Sequence, residues 1–425
     1  MIKLIRLCLF RGAASVLALA TVACTSSPAP TSLPTAPVSS VSTASPSSAV
    51  AAPSPLASLP WQLADVQLPS AVTDPPSLEP GYLCHPCHYQ AENQLLAVSK
   101  WPTGLIAVGV QAPPPQAIAM TSSDGLHWTA APGFSGAAGT TAAAVTATQD
   151  RTVIVGLQHS GATAWAFDGQ SWAQAPDQES LHVDYAAGGM TAATFTDGQF
   201  VAGGYADDPL NDKSSAAAWR SGDGLTWQRD DDPTGVFAGG RIWSMATRGD
   251  IVVAVGTNGD PIYGPAGAWR WTPAAGWQRG TIEPSDSGAM AAVAVGPNGF
   301  VAVGKNGQDL GASVWTSSDG LTWTAVPDQP SLHYYQLALR MQSIVSTPHG
   351  FLVGGWRSDV AKGSGVIWTS GDGLTWSAPT WEDEFSGGQI TGVALLNGSG
   401  VAVGRTGYPD WNQATIWLDP NPFGS

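Results

Sequence analysis

The sequence predicts an all-β fold, a seven-bladed β-propeller made of four-stranded antiparallel blades. A paired apolar-glycine tag recurs seven times along the 425 residues, at intervals of 47 to 53 residues. Pairs of large apolar residues about eight positions apart recur in the same frame. A period near fifty residues with several short apolar runs is typical of propeller blades. The tags are Val108-Gly109, Val155-Gly156, Ala202-Gly203, Val255-Gly256, Val303-Gly304, Val353-Gly354 and Val403-Gly404, and the pairs are Met120/Trp128, Trp165/Trp172, Trp219/Trp227, Trp269/Trp277, Trp315/Trp323 and Trp368/Trp376.

A hairpin turn lies between the two members of most pairs. Four units carry the string Ser-x-Asp-Gly-x-x-Trp. Asp-Gly between two apolar runs is the strongest short hairpin signal, because glycine adopts positive φ and aspartate bonds its own turn backbone. We therefore predict a structural turn role for the four aspartates, Asp124, Asp223, Asp319 and Asp372.

Each unit divides into four strands, named A to D from the axis outward. In one unit they cover residues 290–295, 300–303, 312–315 and 321–326. Small residues crowd strand A, as in residues 141–148, which suits strands that converge on an axis. The recurrent tryptophans of strands C and D are expected to lie between adjacent blades, where large rings fill a widening gap.

The last unit holds only three strands before the chain ends. Trp61-Gln62 matches Trp227-Gln228 and Trp277-Gln278, which lie in fourth strands. Residues 61–66 are therefore expected to supply the outer strand of blade 7, so that no open sheet edge separates the first and last blades. The predicted propeller domain covers residues 59–425.

The N-terminus predicts export. Residues 1–23 combine Lys3, Arg6 and Arg11 with an apolar run too short to cross a bilayer as a helix, which indicates a signal peptide. The string that ends at Cys24 resembles the lipobox of bacterial lipoproteins, in which the cysteine becomes lipid-modified. Ordinary secretory cleavage is the alternative, because a threonine stands where leucine is usual. Several acyl chains on one cysteine would anchor the protein to a membrane.

Residues 24–58 form the predicted tether between anchor and propeller. They are mostly Ser, Thr, Pro and Ala without any charge, so they hold too little apolar side chain to build a core. We expect the lipid-anchored protein to face outside the cytoplasm, at the cell surface or in the periplasm.

The net charge limits the classes of partner that the protein is expected to bind. The chain has 17 basic and 32 acidic residues, a net charge of −15. An acidic protein of this kind lacks the basic footprint of nucleic-acid binding and is repelled by anionic surfaces. We expect a monomer whose ligand is a glycan or an envelope protein.

The Ser-x-Asp-Gly-x-x-Trp turns resemble the Asp-box, or BNR, repeat of the sialidase-like propellers. In this chain glycine follows aspartate directly and tryptophan stands four residues after it, one residue tighter than in that family. The resemblance implies that the turn aspartates are structural. The sialidase-like propellers also include non-catalytic members. The sequence favours a non-catalytic binding or assembly module over a catalyst.

A catalytic sialidase-like relative would need three arginines to clamp a carboxylate, a tyrosine beside a glutamate, and an aspartate as proton donor. The Arg-Ile-Pro string of the first clamp is absent, and Arg241-Ile242-Trp243 is the nearest match. Arg241, Arg248 and Arg340 are the candidates that A strands could direct toward the axis. The alternative function is thus a glycoside hydrolase with a carboxylate pair in the central depression.

Cys84-His85-Pro86-Cys87-His88 is the sharpest local motif. After loss of the signal peptide and lipidation of Cys24, Cys84 and Cys87 are the pair left for a disulfide outside the cytoplasm. The string also matches the attachment site of c-type haem, with His88 as the iron ligand, and a Cys/His metal site is a third reading.

Antiparallel strand order separates the two ends of the propeller. The A–B and C–D turns form one end, the turn face, and the longer B–C and D–A connections form the other, the loop face. Binding is expected on the loop face. Its aromatic candidates stack sugar rings, and its two histidines lie in near-identical Pro-Asp-Gln-x-Ser-Leu-His strings, whose alternative role is to connect blades. The candidates are Tyr205, Tyr263, Trp356, Tyr408, Trp411, His182 and His333.

Acidic loops suggest one metal site. Asp207, Asp208 and Asp212 supply the hard oxygen ligands that suit Ca²⁺, although their spacing matches no EF-hand loop. Solvated acidic loops are the alternative. Apart from this Ca²⁺ site and the haem and Cys/His metal alternatives at Cys84 and Cys87, the sequence calls for no cofactor.

Overall fold

The computed structural model describes residues 61–69, 93–112, 114–159, 161–183, 187–208, 213–259, 264–284, 288–307, 311–333, 338–358, 363–377, 379–380, 383–407 and 413–424. Within these ranges the protein is all-β, with seven sheets arranged as the blades of a propeller. Seven clusters of buried residues form the core, one between each pair of neighbouring blades. The predicted fold class and blade number are confirmed.

The strands follow the chain in the order A, B, C and D within each blade. The N-terminal segment holds β1 (Gln62–Leu63) and β2 (Asp65–Gln67). Blades 1 to 3 hold β3 (Gln94–Trp101), β4 (Gly104–Gln111), β5 (Gln116–Ser122), β6 (His127–Ala130), β7 (Thr141–Ala147), β8 (Thr152–Gln158), β9 (Gly161–Phe167), β10 (Trp172–Gln174), β11 (Ala187–Thr196), β12 (Gln199–Asp208), β13 (Lys213–Ser221) and β14 (Gln228–Arg229).

Blades 4 to 7 repeat this order, with one extra strand between blades 4 and 5. They hold β15 (Gly240–Arg248), β16 (Ile251–Asn258), β17 (Ala266–Thr272), β18 (Gly276–Arg279), β19 (Thr281–Glu283), β20 (Ala289–Gly296), β21 (Gly299–Lys305), β22 (Ala312–Ser317), β23 (Thr322–Ala325), β24 (Leu339–Thr347), β25 (Gly350–Arg357), β26 (Ser364–Ser370), β27 (Gly388–Leu396), β28 (Ser399–Thr406) and β29 (Gln413–Asp419). Three 3-10 turns lie in D–A connections, at Glu179–Leu181, Pro330–Leu332 and Asp383–Phe385.

The N-terminal segment closes the ring, as predicted, but only Gln62–Leu63 supply the outer strand of blade 7, because Asp65–Gln67 pair with β6 of blade 1 instead. β1 pairs antiparallel with β29, with Gln62 opposite Leu418 and Leu63 opposite Trp417. Trp61 is buried between blades 6 and 7. Inner strands join blades 7 and 1, because the hydroxyl of Thr391 on blade 7 donates to the carbonyl of Leu95 on blade 1 at 2.5 Å.

The four-stranded blade has two local variations. β2 adds a parallel fifth strand to blade 1 beside β6, and β19 does the same for blade 5 beside β23. Blade 6 has three regular strands, β24 to β26. Its outer position is occupied by Ser377 and Thr380, whose backbones bond to Thr369 and Ile367. Pro379 between them has no N–H to donate, which breaks the ladder there.

Tryptophans fill the spaces between blades, as the repeat predicts. Those of strand C are fully buried, and the indole N–H of Trp219 donates to the carbonyl of Ser180 at 2.8 Å. Three strand-D tryptophans, Trp128, Trp227 and Trp323, donate instead to the glycine carbonyl of their own Asp-Gly turn, as Trp128 does to Gly125 at 2.9 Å. A tryptophan with such a bond therefore fills the core and fastens a turn or connection at the same time.

The turn aspartates cap their own hairpins. In blade 6 a carboxylate oxygen of Asp372 accepts hydrogen bonds from the N–H groups of Leu374 and Thr375, both at 2.8 Å. Gly373 takes a φ of +77°, which a side chain would disfavour. Asp124, Asp223 and Asp319 make the equivalent pairs of bonds.

Replacing Asp372 with Ala is expected to lower the free energy of unfolding by about 1 kcal/mol at neutral pH, the usual cost of losing such a cap. Hydrogen bonds from Thr375 and Leu374 lower the pKa of Asp372 below its ordinary value. Its charge therefore stabilises the fold fully above an unfolded pKa of about 4, and this contribution is lost as the pH falls through the folded pKa.

The difference between wild type and Asp372→Ala should accordingly shrink below about pH 4 in urea unfolding. Asp372→Asn keeps the acceptor oxygen without the charge and is the matched control. A difference that stays constant down to about pH 2 would contradict a stabilising charge at this turn.

Candidate functional site

The loop-face end of the axis is built from equivalent positions in every blade. Strand A of each blade carries a β-bulge near its start, which leaves one residue unpaired. A bulge re-aims a side chain. The bulged residues are Leu96, Ala143, Thr191, Trp243, Ala291, Gln342 and Thr391.

A cavity of about 230 Å³ lies among blades 4, 5 and 6 at this end. Blade 5 presents Ala289 and Ala291 at positions where blades 4 and 6 carry large side chains, so space remains between its neighbours. The larger residues that line the cavity are Trp243, Thr257, Met290, Lys305, Arg340, Met341 and Gln342. An aromatic ring, a hydroxyl, an amide and two cationic side chains thus share one small volume.

Thr257 is a buried polar residue whose hydrogen bond the described part of the chain does not supply. The residue is 1% exposed, and its hydroxyl has no hydrogen-bond partner among the described residues. A buried hydroxyl without a partner costs free energy unless a ligand or water supplies a bond. Within the described ranges the indole N–H of Trp356 is likewise buried without a partner.

The side chains of Tyr205 and Trp243 form an aromatic wall of this site, and residues of blade 3 help to hold it in place. Arg241, which is 7% exposed, forms an ion pair with Asp207 and donates to the hydroxyl of Ser214 at 3.0 Å. Its guanidinium lies 4.8 Å from the ring centre of Tyr205, which in turn lies 5.6 Å from the ring centre of Trp243. Cation–π and ring contacts of this kind restrict the rotamers of the wall.

Two predicted ligand residues therefore lie at this end of the axis. Tyr205 contacts the cavity residue Trp243, and the ring of Trp356 lies 5.5 Å from the guanidinium of the cavity residue Arg340. Their role in binding remains a prediction. Tyr263, Tyr408, Trp411, Cys24, Cys84, Cys87 and His88 lie outside the described residues.

The two predicted histidines lie in blade connections. His182 bonds to Asp177 and His333 to Asp328, each at 2.5 Å. Next to His182 the same string makes direct contacts between blades: the side chain of Gln178 donates to the carbonyl of Leu225 at 2.7 Å and accepts from the N–H of Trp227 at 3.0 Å. These contacts match the connector alternative, and ligand binding by the histidines stays a prediction.

The three candidate arginines do not meet. Arg241 and Arg340 occupy equivalent positions at the loop-face start of strands β15 and β24. Arg248 lies at the opposite end of β15, where it pairs with Ile251 at the A–B turn. Because these ends belong to different faces, a clamp of these three side chains is not assembled.

The candidate metal-binding aspartates either bond to other residues of the protein or lie outside the described residues. Asp207 is bound by Arg241 and by the hydroxyl of Ser214, at 2.8 Å for the latter. The side chain of Asp208 and all of Asp212 lie outside the described residues. Within the described ranges, no group of three His, Cys, Asp or Glu side chains is placed to hold a metal ion. The Ca²⁺ site therefore stays a prediction.

The sequence did not single out Thr257, Lys305 or Gln342. They lie in strands rather than in the long loops, and each strand taken alone is ordinary. A signal does exist, because aligning the seven A strands places Trp243 and Gln342 at a position that is small or aliphatic in the other blades.

No helix in the described ranges has the length and apolar character to span a membrane.

Comparison with known proteins adds little to this geometry. No protein-family model and no curated protein matches the sequence. Among solved structures, the chain is similar to YjhT (13% identity, 65% of this chain and 93% of that chain, TM-score 0.44). It is also similar to a Trypanosoma rangeli sialidase in complex with sialic acid (11%, 78% and 54%, TM-score 0.40) and to a Penicillium chrysogenum α-L-arabinanase complexed with arabinobiose (12%, 76% and 93%, TM-score 0.40). At these identities and scores the propeller assignment rests on the strand pairing itself.

Proposed function

We propose that this protein is a glycan-binding propeller, held outside the cytoplasm by a lipid on Cys24, and that it binds one sugar ring in the cavity among blades 4 to 6. The observation that carries the proposal is the set of side chains in that cavity. Trp243 offers an aromatic face, while Lys305, Arg340 and Gln342 offer hydrogen-bond donors around it.

The size of the cavity suits a single ring. About 230 Å³ is smaller than the 300 to 1,000 Å³ typical of sites for drug-sized ligands. Sugar rings stack on aromatic side chains through their C–H faces and use their edges for hydrogen bonds. The unpartnered hydroxyl of Thr257 supports a ligand rich in hydrogen-bonding groups.

The residues around the cavity favour binding over hydrolysis. A glycoside hydrolase of the usual kind places two carboxylates on either side of the scissile bond. The residues that line the cavity within the described ranges include no Asp or Glu, and the nearby Asp207 is bound to Arg241. The side chains that line the cavity are therefore sufficient for binding a sugar ring.

A glycan array probed with the full chain in detergent is expected to give specific signals that fall about tenfold or more in Trp243→Ala and about tenfold in Thr257→Val. The second change removes one hydroxyl at constant volume. Thr163→Val is the matched control, since Thr163 is 1% exposed but lies in blade 2, away from the cavity. No captured glycan, or equal loss in the control, would overturn the proposal.

A further inference from the structure

A second cavity, of about 290 Å³, lies at the outer rim between blades 6 and 7. It shares no lining residue with the cavity among blades 4 to 6. Its apolar walls include Trp61, Ile367 and Phe423, which belong to or pack against one core cluster. Its polar lining residues are Thr369, Ser377, Thr380, Asp419 and Asn421.

Blade 7 departs from the repeat at this cavity. In four other blades a serine stands at the position of Asp419, at the end of strand C, and its hydroxyl accepts the N–H of the turn glycine. A carboxylate oxygen of Asp419 accepts the N–H of Asn421 at 2.8 Å. Because a neutral hydroxyl makes such a bond in four blades, the turn does not explain the charge of Asp419. The serines are Ser122, Ser221, Ser317 and Ser370.

The Asp419 carboxylate is buried without a counter-charge. The residue is 5% exposed, and no cationic side chain within the described ranges forms an ion pair with it. Burial raises the pKa of this carboxyl above its ordinary value, and the N–H of Asn421 offsets that effect only in part. A buried carboxylate of this kind costs free energy unless it is protonated or a cation binds beside it.

Two further departures from the repeat make room beside this carboxylate. Strand B carries leucine or phenylalanine opposite each of the four serines, whereas Gly400 lies opposite Asp419. A β-carbon at position 400 would lie 3.1 Å from the ring of Trp61, so only glycine leaves space for that ring. On the other side, blade 6 has no regular outer strand, and Ser377 and Thr380 line the cavity in its place.

Aromatic rings beside a buried carboxylate favour an organic cation as the ligand. Ring faces attract an ammonium group, and the carboxylate supplies a charge-assisted hydrogen bond. The hydroxyls of Thr369 and Thr380 are able to accept further N–H groups. A hard ion such as Ca²⁺ takes about six to eight oxygen ligands, which one carboxylate among apolar walls does not supply.

We propose that this outer cavity binds an alkylammonium group, with Asp419 as the counter-ion and Trp61 and Phe423 as aromatic walls. The site is separate from the proposed glycan site and does not depend on it. The ammonium group belongs either to a free small amine or to a lysine side chain of a partner protein.

Isothermal titration of the full chain in detergent at neutral pH tests both sources. The charged probes are n-butylammonium and a blocked Gly-Lys-Gly peptide, and the uncharged counterparts are n-butanol and the same peptide with an acetylated lysine amine. Wild type is expected to bind at least one charged probe about tenfold or more tightly than its uncharged counterpart. Tighter binding of n-butylammonium identifies a free amine as the ligand, and tighter binding of the peptide identifies a lysine side chain.

Three variants locate the binding. Asp419→Asn keeps the shape of the side chain without its charge and should weaken binding of the charged probe about tenfold or more. Phe423→Leu keeps an apolar wall without the ring and should weaken it about threefold to tenfold. Asp250→Asn, which removes an exposed carboxylate on the turn face of blade 4, is the control and should bind like wild type.

Equal affinity for charged and uncharged probes would overturn the proposal, as would binding that survives Asp419→Asn. Because that change removes a buried charge without a partner, its thermal unfolding transition is expected at or above that of wild type. If Asp419→Asn does not fold, Phe423→Leu decides, since an unchanged affinity in that variant would also overturn the proposal. Neither result bears on glycan binding, because the two cavities share no residue.

Discussion

A chain that lacks residues 61–69 is expected to lose more than about 5 kcal/mol of unfolding free energy, which is comparable to the whole stability of many domains. These nine residues belong to two blades at once. β1 continues blade 7, and β2 continues blade 1. Between them the N–H of Ala64 donates to the carbonyl of Ile416 at 2.9 Å, and the N–H of Asp65 donates to Leu126 at 2.7 Å.

Their side chains add to this effect. Trp61 is 3% exposed and packs against Phe385, with ring centres 5.7 Å apart. Val66 and Leu68 pack on the core cluster between blades 7 and 1. Removing the segment would therefore expose an apolar surface and two sheet edges at the only place where the covalent chain does not already join neighbouring blades.

Urea unfolding of the full chain measures the loss. The matched control deletes residues 40–48, nine residues of the predicted tether, and should unfold like wild type. An unchanged transition after deletion of 61–69 would contradict a closing role for the segment. Trp61→Ala, expected to cost about 3 to 5 kcal/mol, tests with a single substitution how much the segment contributes by packing between blades 6 and 7.

Trp219→Ala is expected to cost about 3 to 5 kcal/mol of unfolding free energy, the range for a fully buried tryptophan. The ring is 0% exposed and packs in the cluster between blades 2 and 3. Its N–H also satisfies the carbonyl of Ser180 in the connection between those blades. The substitution would leave both a cavity and an unpaired carbonyl.

Two further variants locate the source of this loss. Trp219→Phe keeps most of the ring but removes the donor, and it should cost less than the alanine change. Trp271→Ala removes a partly exposed ring whose contact is with Arg220, 5.5 Å from the ring centre, so about 1 kcal/mol is expected. Similar losses at positions 219 and 271 in urea unfolding would show that burial between blades is not the cause.

The closing strand could be predicted because its signal is local. Trp61-Gln62 repeats the composition of other outer strands, and the last unit is visibly one strand short. The parallel pairing of β2 could not be predicted in this way, because it depends on the free edge of β6 in another blade. The chain passes in the same way from β18 in blade 4 to β19 in blade 5, and the pairing of β19 could not be predicted for the same reason.

The cavity among blades 4 to 6 shows what short sequence patterns cannot predict. Tyr205 and Trp356 were selected as aromatic residues near loops, and both lie beside it. Thr257 and Gln342 were missed, since an ordinary strand residue acquires meaning only from its position in the ring. The candidate arginines of the alternative hydrolase function show the opposite case, because Arg241 and Arg248 are seven residues apart on one strand and lie at its opposite ends, on different faces.

The sequence by itself determined the seven repeats, the turns, the tryptophans between blades and the closing strand, because each is written as a short pattern of apolar residues, glycine and aspartate. Only the tertiary structure decided which side chains meet around the axis. Blade 5 leaves room there with two alanines, and the side chain of Gln389 in blade 7 donates to that of Gln342 in blade 6. Such contacts join residues from different repeats. The distances between these side chains follow from the closure of the ring rather than from any one segment of the chain.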